Sequence, residues 1–192
     1  MASRNEGKLK EVRAILEGLD VTLESLHAYK NVPDVVEDGN SFFENALKKA
    51  KVISEFTGAI ALADDSGLEV DALNGQPGIF SARFAGPEAD DDQNIEKLLD
   101  LLKDSPPEKR AAAFRCVLVL YFPDGTYKSF QGDWKGFISE ARQGSNGFGY
   151  DPVFFLPEQG KTVAQLSAAE KNRNSHRAKA LQALKESLRK KS

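Results

Sequence analysis

Hydrophobic residues recur at helical spacing in four stretches of the chain, with polar residues filling the positions between them. This period predicts amphipathic helices over residues 5–19, 41–56, 90–103 and 167–189. Two of these helices begin with a Ser-x-x-Glu capping box, in which two side chains satisfy backbone N–H groups at the helix start. The boxes are Ser41 with Glu44 and Ser167 with Glu170.

Shorter apolar runs between the helices predict β-strands. They cover residues 21–26, 59–63, 112–122, 126–138 and 153–156, and two more, over 68–73 and 78–83, flank an Asn-Gly turn. A Pro-Asp-Gly turn joins the two long strands as a hairpin. Because helices and strands are interspersed, the chain is predicted to form one compact α/β unit around a mixed sheet.

Composition narrows the class of protein. The 192 residues are 41% hydrophobic, which is enough for a core without disulfides. A net charge of −3 disfavours a nucleic acid polymer as partner. No apolar run approaches the roughly 18 residues of a membrane span and no secretory segment is evident, so a cytoplasmic protein is expected. The single cysteine, Cys116, lies in an apolar run and is expected to be buried rather than catalytic.

Two adjacent carboxylates, Asp64 and Asp65, follow the apolar run over residues 59–63. If that run is a buried strand, the acids emerge at its end, where open α/β sheets bind ligands. Neighbouring side chains of a strand point to opposite sides, so at most one of the two faces a given cleft. A carboxylate followed by Ser66 and Gly67 suits a hard metal ion and a phosphate oxygen.

The segment Ser3-Arg4-Asn5-Glu6-Gly7-Lys8 lies at the start of the first predicted helix. Free backbone N–H groups, the helix dipole and the Lys8 cation together favour phosphate binding there. The segment is not a P-loop, because the two-glycine frame that ends in Gly-Lys-Ser/Thr is missing. The alternative is that Asn5 is only an N-cap and Lys8 only a solvated side chain.

The second predicted helix places its lysines on different faces. Lys49 lies at the edge of the apolar face, whereas Lys48 lies roughly opposite it. Lys49 can therefore reach a cleft beside the core, or else its stem packs there while the amine stays in water. Acids near this helix are candidate metal ligands together with Asp65, or else ordinary solvated side chains: Glu37, Asp38 and Glu44.

A glycine-rich loop over residues 145–152 contains two aromatic residues, Phe148 and Tyr150. Glycines let a backbone approach a ligand and aromatic rings stack on a base, so the loop suits a nucleobase. The alternative is a tight turn whose rings fill the core. Further along, Lys171, His176 and Arg177 could donate hydrogen bonds to a carbonyl-bearing base or a phosphate, although a surface helix explains them equally well.

In this order, the motifs resemble the inosine triphosphate pyrophosphatase family, also known as the XTP/dITP diphosphatases. The resemblance covers nearly the whole chain, in segments over residues 3–8, 37–49, 64–83, 147–152 and 175–177. It implies hydrolysis of ITP, dITP and XTP to the monophosphate and pyrophosphate, with Mg²⁺. It also implies a homodimer of elongated, two-lobed α/β subunits, each built around a long mixed β-sheet flanked by helices.

The resemblance implies a role for each matching residue. Asp65, Glu37 and Lys49 are implied to be catalytic, with Asp65 and Glu37 also binding the metal. The implied substrate-binding residues are Ser3, Arg4, Asn5, Glu6, Gly7, Lys8 and Ser66 on the phosphate side, and Phe148, Gly149, Tyr150, Asp151, Lys171, His176 and Arg177 for the purine. Donors aimed at a 6-keto group would reject adenine, whose amino group cannot accept them.

One feature departs from the family. Only Met1 and Ala2 precede Ser3, whereas family members begin with a hydrophobic strand. Residues 1–192 are therefore interpreted as a single domain whose first strand is mostly missing. We expect the protein to be less stable than a version with about five added apolar residues, the length of a short strand.

Two alternatives to the implied activity stay open. A related pyrophosphatase that acts on modified pyrimidine or methylated nucleotides would share the architecture without the full purine loop. A nucleotide-binding protein that does not hydrolyse its ligand would differ in class, although the acids and lysines of the resemblance are all present.

Overall fold

The computed structural model describes residues 1–19 and 21–189. Its helices are α1 (Glu6–Leu16), α2 (Phe42–Thr57), α3 (Asp91–Leu101), α4 (Ala168–Asn174) and α5 (His176–Arg189). Its strands are β1 (Ala61–Val70), β2 (Ala111–Tyr121), β3 (Tyr127–Ile138), β4 (Phe154–Leu156) and β5 (Lys161–Thr162). The sheet order is β1-β2-β3-β4-β5, and the β3–β4 and β4–β5 pairings are antiparallel. The predicted α/β class, a sheet flanked by helices, is confirmed.

The helix starts follow the capping signals of the sequence. The Ser41 hydroxyl accepts the Glu44 N–H at 3.2 Å, and Ser167 forms a reciprocal capping box with Glu170. The predicted fourth helix is divided into α4 and α5, because Ser175 between them has an extended backbone. In the described part of the chain, no helix is long and apolar enough to cross a membrane.

The described residues divide into two compact units. Unit 1 comprises residues 1–19, 21–65, 116–132 and 176–189, and unit 2 comprises residues 66–115 and 133–175. The core of unit 1 is formed by apolar side chains of α1, α5, β1 and β2, among them Val12, Leu181, Leu62 and Leu118. The core of unit 2 includes Leu68, Ile95, Leu98, Trp134 and Phe154.

The acid pair does not lie at a strand end, contrary to the prediction. The strand that was expected to end before the acids is β1, which runs from Ala61 to Val70 and places Asp64 and Asp65 in its interior. It continues because Leu68 and Val70, beyond the acids, are fully buried and resume the apolar pattern.

Of two further strand predictions, one is wrong and the other is only partly confirmed. The strand predicted over residues 21–26 is wrong: residues 21–25 are not in a strand, Leu26 begins a 3₁₀ turn, and Val21 is half exposed rather than packed in a core. The hairpin predicted over residues 68–83 is only partly formed: residues 68–70 belong to β1 and Glu69 makes an isolated antiparallel bridge to Pro77, but Asp71–Leu73 and Gly78–Arg83 are 3₁₀ turns. Pro77, between those turns, has no N–H to donate to a ladder.

Candidate active site

The start of α1 presents Lys8 on a capped helix terminus. The Asn5 side chain accepts the Lys8 N–H at 2.9 Å, and the Ser3 hydroxyl accepts the Asn5 N–H at 3.1 Å. The Lys8 side chain is only 16% exposed, so it is not a solvated lysine. Two other residues of this segment form surface pairs, Arg4 with Asp34 and Glu6 with His27.

Asp64 lies at the centre of a buried charge cluster in unit 1. One carboxylate oxygen contacts the Lys8 ammonium, and the other accepts from Arg177 Nε at 3.0 Å. The Cys116 thiol is 3.2 Å from that second oxygen. Burial alone would raise the pKa of Asp64, but the two cations outweigh it and hold the pKa well below its usual range. Asp64 is therefore a firmly ionised structural partner of Lys8.

Asp65 points away from that cluster and has different partners, as expected for adjacent residues of a strand. Lys49 Nζ lies 3.4 Å from Asp65 Oδ1 and 2.8 Å from Glu37 Oε1. The second oxygen, Oδ2, is buried without a hydrogen-bond partner. Burial raises the pKa of Asp65, and the nearby Lys49 and Lys8 only partly offset this. Asp65 thus combines an available oxygen with the basicity of a partly desolvated carboxylate.

Helix α2 delivers Lys49 to this position. Lys49 is largely buried, whereas Lys48 pairs with Asp38 at the surface, as the helical period predicts. The loop before α2 is fixed by Asn45, whose side-chain oxygen accepts the Gly39 N–H at 2.8 Å. A Cβ on Gly39 would lie 2.7 Å from that oxygen, so glycine permits the close approach.

Of the three acids considered near Asp65, the structure brings only Glu37 to it. Asp38 faces Lys48, and the Glu44 carboxylate accepts the Asn40 N–H at 2.8 Å at the start of α2. Both contacts are explained by local structure alone. Ser66, next to Asp65 on β1, is partly buried.

The predicted purine loop lies in unit 2 and is organised by Asp151. The Asp151 carboxylate is buried and accepts the Phe148 N–H at 3.0 Å and the Lys171 ammonium at 2.5 Å. The same ammonium lies 4.3 Å from the centre of the Phe148 ring. A Cβ on Gly147 would collide with the Asp151 carboxylate. Phe148, Asp151 and Lys171 therefore form one connected group.

The two aromatic residues of this loop differ in environment. Tyr150 belongs to the core of unit 2, and its hydroxyl donates to the Ser81 carbonyl at 2.8 Å. Tyr150 therefore packs in the core, whereas Phe148 is partly exposed. Gly149, between them, donates its N–H to Asp91 at 2.6 Å.

His176 and Arg177 belong to unit 1, at the start of α5, and both are buried. A surface helix therefore does not explain them. Arg177 pairs with Asp64 and with Glu11, a buried residue of α1 that the sequence analysis missed. The missed signal is spacing, since Lys8, Glu11 and Ile15 follow one another along one helix face.

The carboxylates near Lys49 fit a magnesium ion. In the described residues no group of three or more His, Cys, Asp or Glu side chains could hold a metal. Magnesium, however, is usually bound by one or two carboxylates, with water and substrate phosphates completing its shell. Glu37 and the buried, unpartnered oxygen of Asp65 provide such a pair.

Comparison with known proteins assigns the chain to a family. The model of the Ham1 family matches residues 1–187. The chain belongs to the Ham1 family. Among its Ham1 relatives, a dITP/XTP pyrophosphatase of Geobacter sulfurreducens is 52% identical over 188 residues, covering 98% of this chain and 94% of the relative. A dITP/XTP pyrophosphatase of Bacillus cereus is 47% identical over 190 residues, covering 98% and 93%.

Solved Ham1 structures have the same fold. A HAM1 protein from Coxiella burnetii matches with a TM-score of 0.90 at 40% identity, covering 98% of this chain and 96% of the other. The Ham1 protein of Staphylococcus aureus matches with a TM-score of 0.90 at 41% identity, covering 100% and 97%. The family resemblance predicted from the five motifs is confirmed.

Proposed function

We propose that this Ham1 protein hydrolyses dITP, ITP and XTP to the nucleoside monophosphate and pyrophosphate. The observation that carries the proposal is the environment of Asp65. Its carboxylate is buried, has a raised pKa and one unpartnered oxygen, and lies beside Lys49. Relatives at 52% and 47% identity are named dITP/XTP pyrophosphatases, which supports the same substrates here.

In the proposed reaction, Asp65 accepts a proton from a water molecule. The water oxygen forms a bond to the α-phosphorus while the bond between that phosphorus and the oxygen bridging to the β-phosphate breaks. Pyrophosphate leaves with the bridging oxygen, and the nucleoside monophosphate retains the oxygen of water. A general base contributes about 10²–10⁴-fold to such a step, and it works best when its pKa is raised towards the working pH.

Negative charge on the phosphates is countered by the cations of unit 1. Lys8 and the start of α1 offer an ammonium group and backbone N–H groups, and Lys49 offers a second ammonium beside Asp65. Each lysine also acts electrostatically on both Asp64 and Asp65. We therefore assign Lys8 and Lys49 to phosphate binding.

Magnesium is the proposed cofactor, held by Asp65 and Glu37. When bound, it supplies positive charge to the phosphate oxygens and lowers the pKa of coordinated water. Lys49, which contacts both carboxylates, orients them towards a common point.

Base recognition is proposed for the loop of unit 2 and, separately, for the start of α5 in unit 1. In unit 2, Phe148 offers a partly exposed ring, and Asp151 and Lys171 hold the loop that carries it. Tyr150 fixes that loop to the core, and His176 is the proposed donor of unit 1. Arg177 is fully buried and pairs with Asp64 and Glu11. A homodimer is also proposed, as the family resemblance implies. A cytoplasmic location is proposed because the substrates are free nucleotides.

The activity is tested by measuring pyrophosphate released from dITP, XTP, dGTP and ATP with and without Mg²⁺. We expect dITP and XTP to be cleaved well above dGTP and ATP, and only with the metal. Faster cleavage of methylated pyrimidine triphosphates than of dITP would favour the related pyrophosphatase. Tight binding of dITP without any cleavage would favour a binding protein.

A further inference from the structure

Glu11 is a buried carboxylate with no role in the proposed reaction. It lies on α1, three residues after Lys8, and is only 8% exposed. A carboxylate in such a position is costly unless a cation compensates it. The compensating group is Arg177 Nη1 on α5, which contacts Glu11 Oε2.

This contact is one link in an alternating chain of charges. Glu11 pairs with Arg177, Arg177 pairs with Asp64, and Asp64 pairs with Lys8. The side chains of Arg177 and Asp64 are 1% and 0% exposed, whereas that of Lys8 is 16% exposed. The chain is therefore anchored in the interior, and its exposed end is the ammonium at the start of α1.

We propose that Glu11 is a positioning residue that holds Arg177 against Asp64 and thereby fixes the Lys8 ammonium where the substrate phosphates bind. The inference rests on the proposed phosphate-binding role of Lys8. Glu11 contacts no substrate in this proposal and acts through Arg177.

The physical basis is competition for Asp64. Both oxygens of Asp64 are in use, one with Lys8 and the other with Arg177. If Glu11 is neutralised, the guanidinium loses one of its two carboxylates and draws more strongly on the other. Asp64 then holds Lys8 less firmly, so the lysine loses the fixed geometry that makes a charged hydrogen bond strong.

The first test is Glu11→Gln, with Glu17→Gln as the matched control, since Glu17 is exposed at the end of the same helix. We expect the KM for dITP and the inhibition constant of pyrophosphate to rise together by about tenfold, as for the loss of roughly 1.4 kcal/mol of binding. The preference for dITP over dGTP should stay unchanged, because the base is not involved. The control should leave all three quantities unchanged.

A double-mutant cycle tests whether Glu11 acts through Arg177. Glu11→Gln, Arg177→Gln and the double variant are compared by the inhibition constant of pyrophosphate. The proposal expects the double variant to be no worse than Arg177→Gln alone. If the effects of Glu11→Gln and Arg177→Gln on the inhibition constant multiply independently in the double variant, the proposal is overturned. A fall in kcat with unchanged KM would also overturn it, because that result indicates only a smaller folded fraction.

If Glu11→Gln does not fold, Glu11→Asp replaces it, because the shorter side chain keeps the charge but draws back from Arg177. A smaller rise of the same two constants is then expected, and unchanged constants would overturn the proposal. The control for the underlying function is the wild type, measured by calorimetry with pyrophosphate and by turnover with dITP. Absence of wild-type turnover refutes the proposed function. The positioning role of Glu11 is tested separately, by comparing the affinity of wild type and variant for pyrophosphate.

Discussion

Asp64 and Asp65 are neighbours in β1, yet their pKa values are shifted in opposite directions from the ordinary value for aspartate. Asp64 is held ionised by Arg177 and Lys8, while burial dominates at Asp65. Two acids with divergent environments commonly have different tasks in an active site. Here Asp64 holds Lys8, the proposed phosphate-binding lysine, and Asp65 is the proposed base.

Asp64→Asn should destabilise the protein strongly. The amide leaves the buried Arg177 and the partly buried Lys8 without their shared carboxylate, and breaking a buried ion pair costs about 3–5 kcal/mol. The change is measured by urea unfolding, in which the variant should unfold at a lower midpoint concentration than the wild type. The control is Asp38→Asn, which removes an exposed carboxylate paired with Lys48 and should leave the midpoint unchanged. Equal midpoints for wild type and Asp64→Asn would contradict the account of the buried cluster.

Lys49→Met should abolish most turnover, whereas Lys48→Met, at the next position on α2, should retain it. Lys49 lies beside Asp65 and Glu37, while Lys48 contacts Asp38 at the surface. Loss of a preorganised charged donor typically lowers kcat by about 10²–10³-fold. Steady-state rates of pyrophosphate release from dITP provide the comparison. Similar rates for the two variants would mean that the contacts of Lys49 are not catalytic.

Acid should reduce activity before it reduces stability. Asp65 must be ionised to accept a proton, and its raised pKa places the acid limb of kcat/KM above the value of about 3.9 for an ordinary aspartate. The raised pKa also means that the folded state binds protons more readily at Asp65, so this group adds stability as the pH falls through its folded pKa.

Asp64 has the opposite linkage. Its lowered pKa stabilises the fold above about pH 3.9, the unfolded value, and this contribution is lost only as the pH falls towards the lower folded pKa. Rates and melting temperatures measured over the same pH series should therefore separate. A melting temperature that falls in parallel with kcat/KM would contradict this assignment of the two acids.

The predictable parts of the site are those set by the periods of a single helix or strand. The period of α2 placed Lys49 at the core edge, and alternation along a strand separated Asp64 from Asp65. The interior position of the acids in β1 was missed, because their charge interrupts the apolar run that marks a strand.

The pairing of Glu11 with Arg177 could not be predicted in the same way. A carboxylate in an amphipathic helix is usually solvated, and its partner Arg177 is 166 residues away in the chain. The strand expected over residues 21–26 failed for a related reason, since strand formation depends on a neighbour that local sequence does not specify. Contacts between distant segments therefore account for most of what the sequence left open.

The most direct test of the central claim compares wild type and Asp65→Asn with dITP and Mg²⁺, measuring pyrophosphate release and nucleotide binding on the same samples. Asn is nearly isosteric with Asp but cannot accept a proton as the base. The account predicts rapid release by the wild type and a loss of at least about 10²-fold in the variant, which still binds dITP. Undiminished turnover by Asp65→Asn would contradict the assignment of Asp65 as the base.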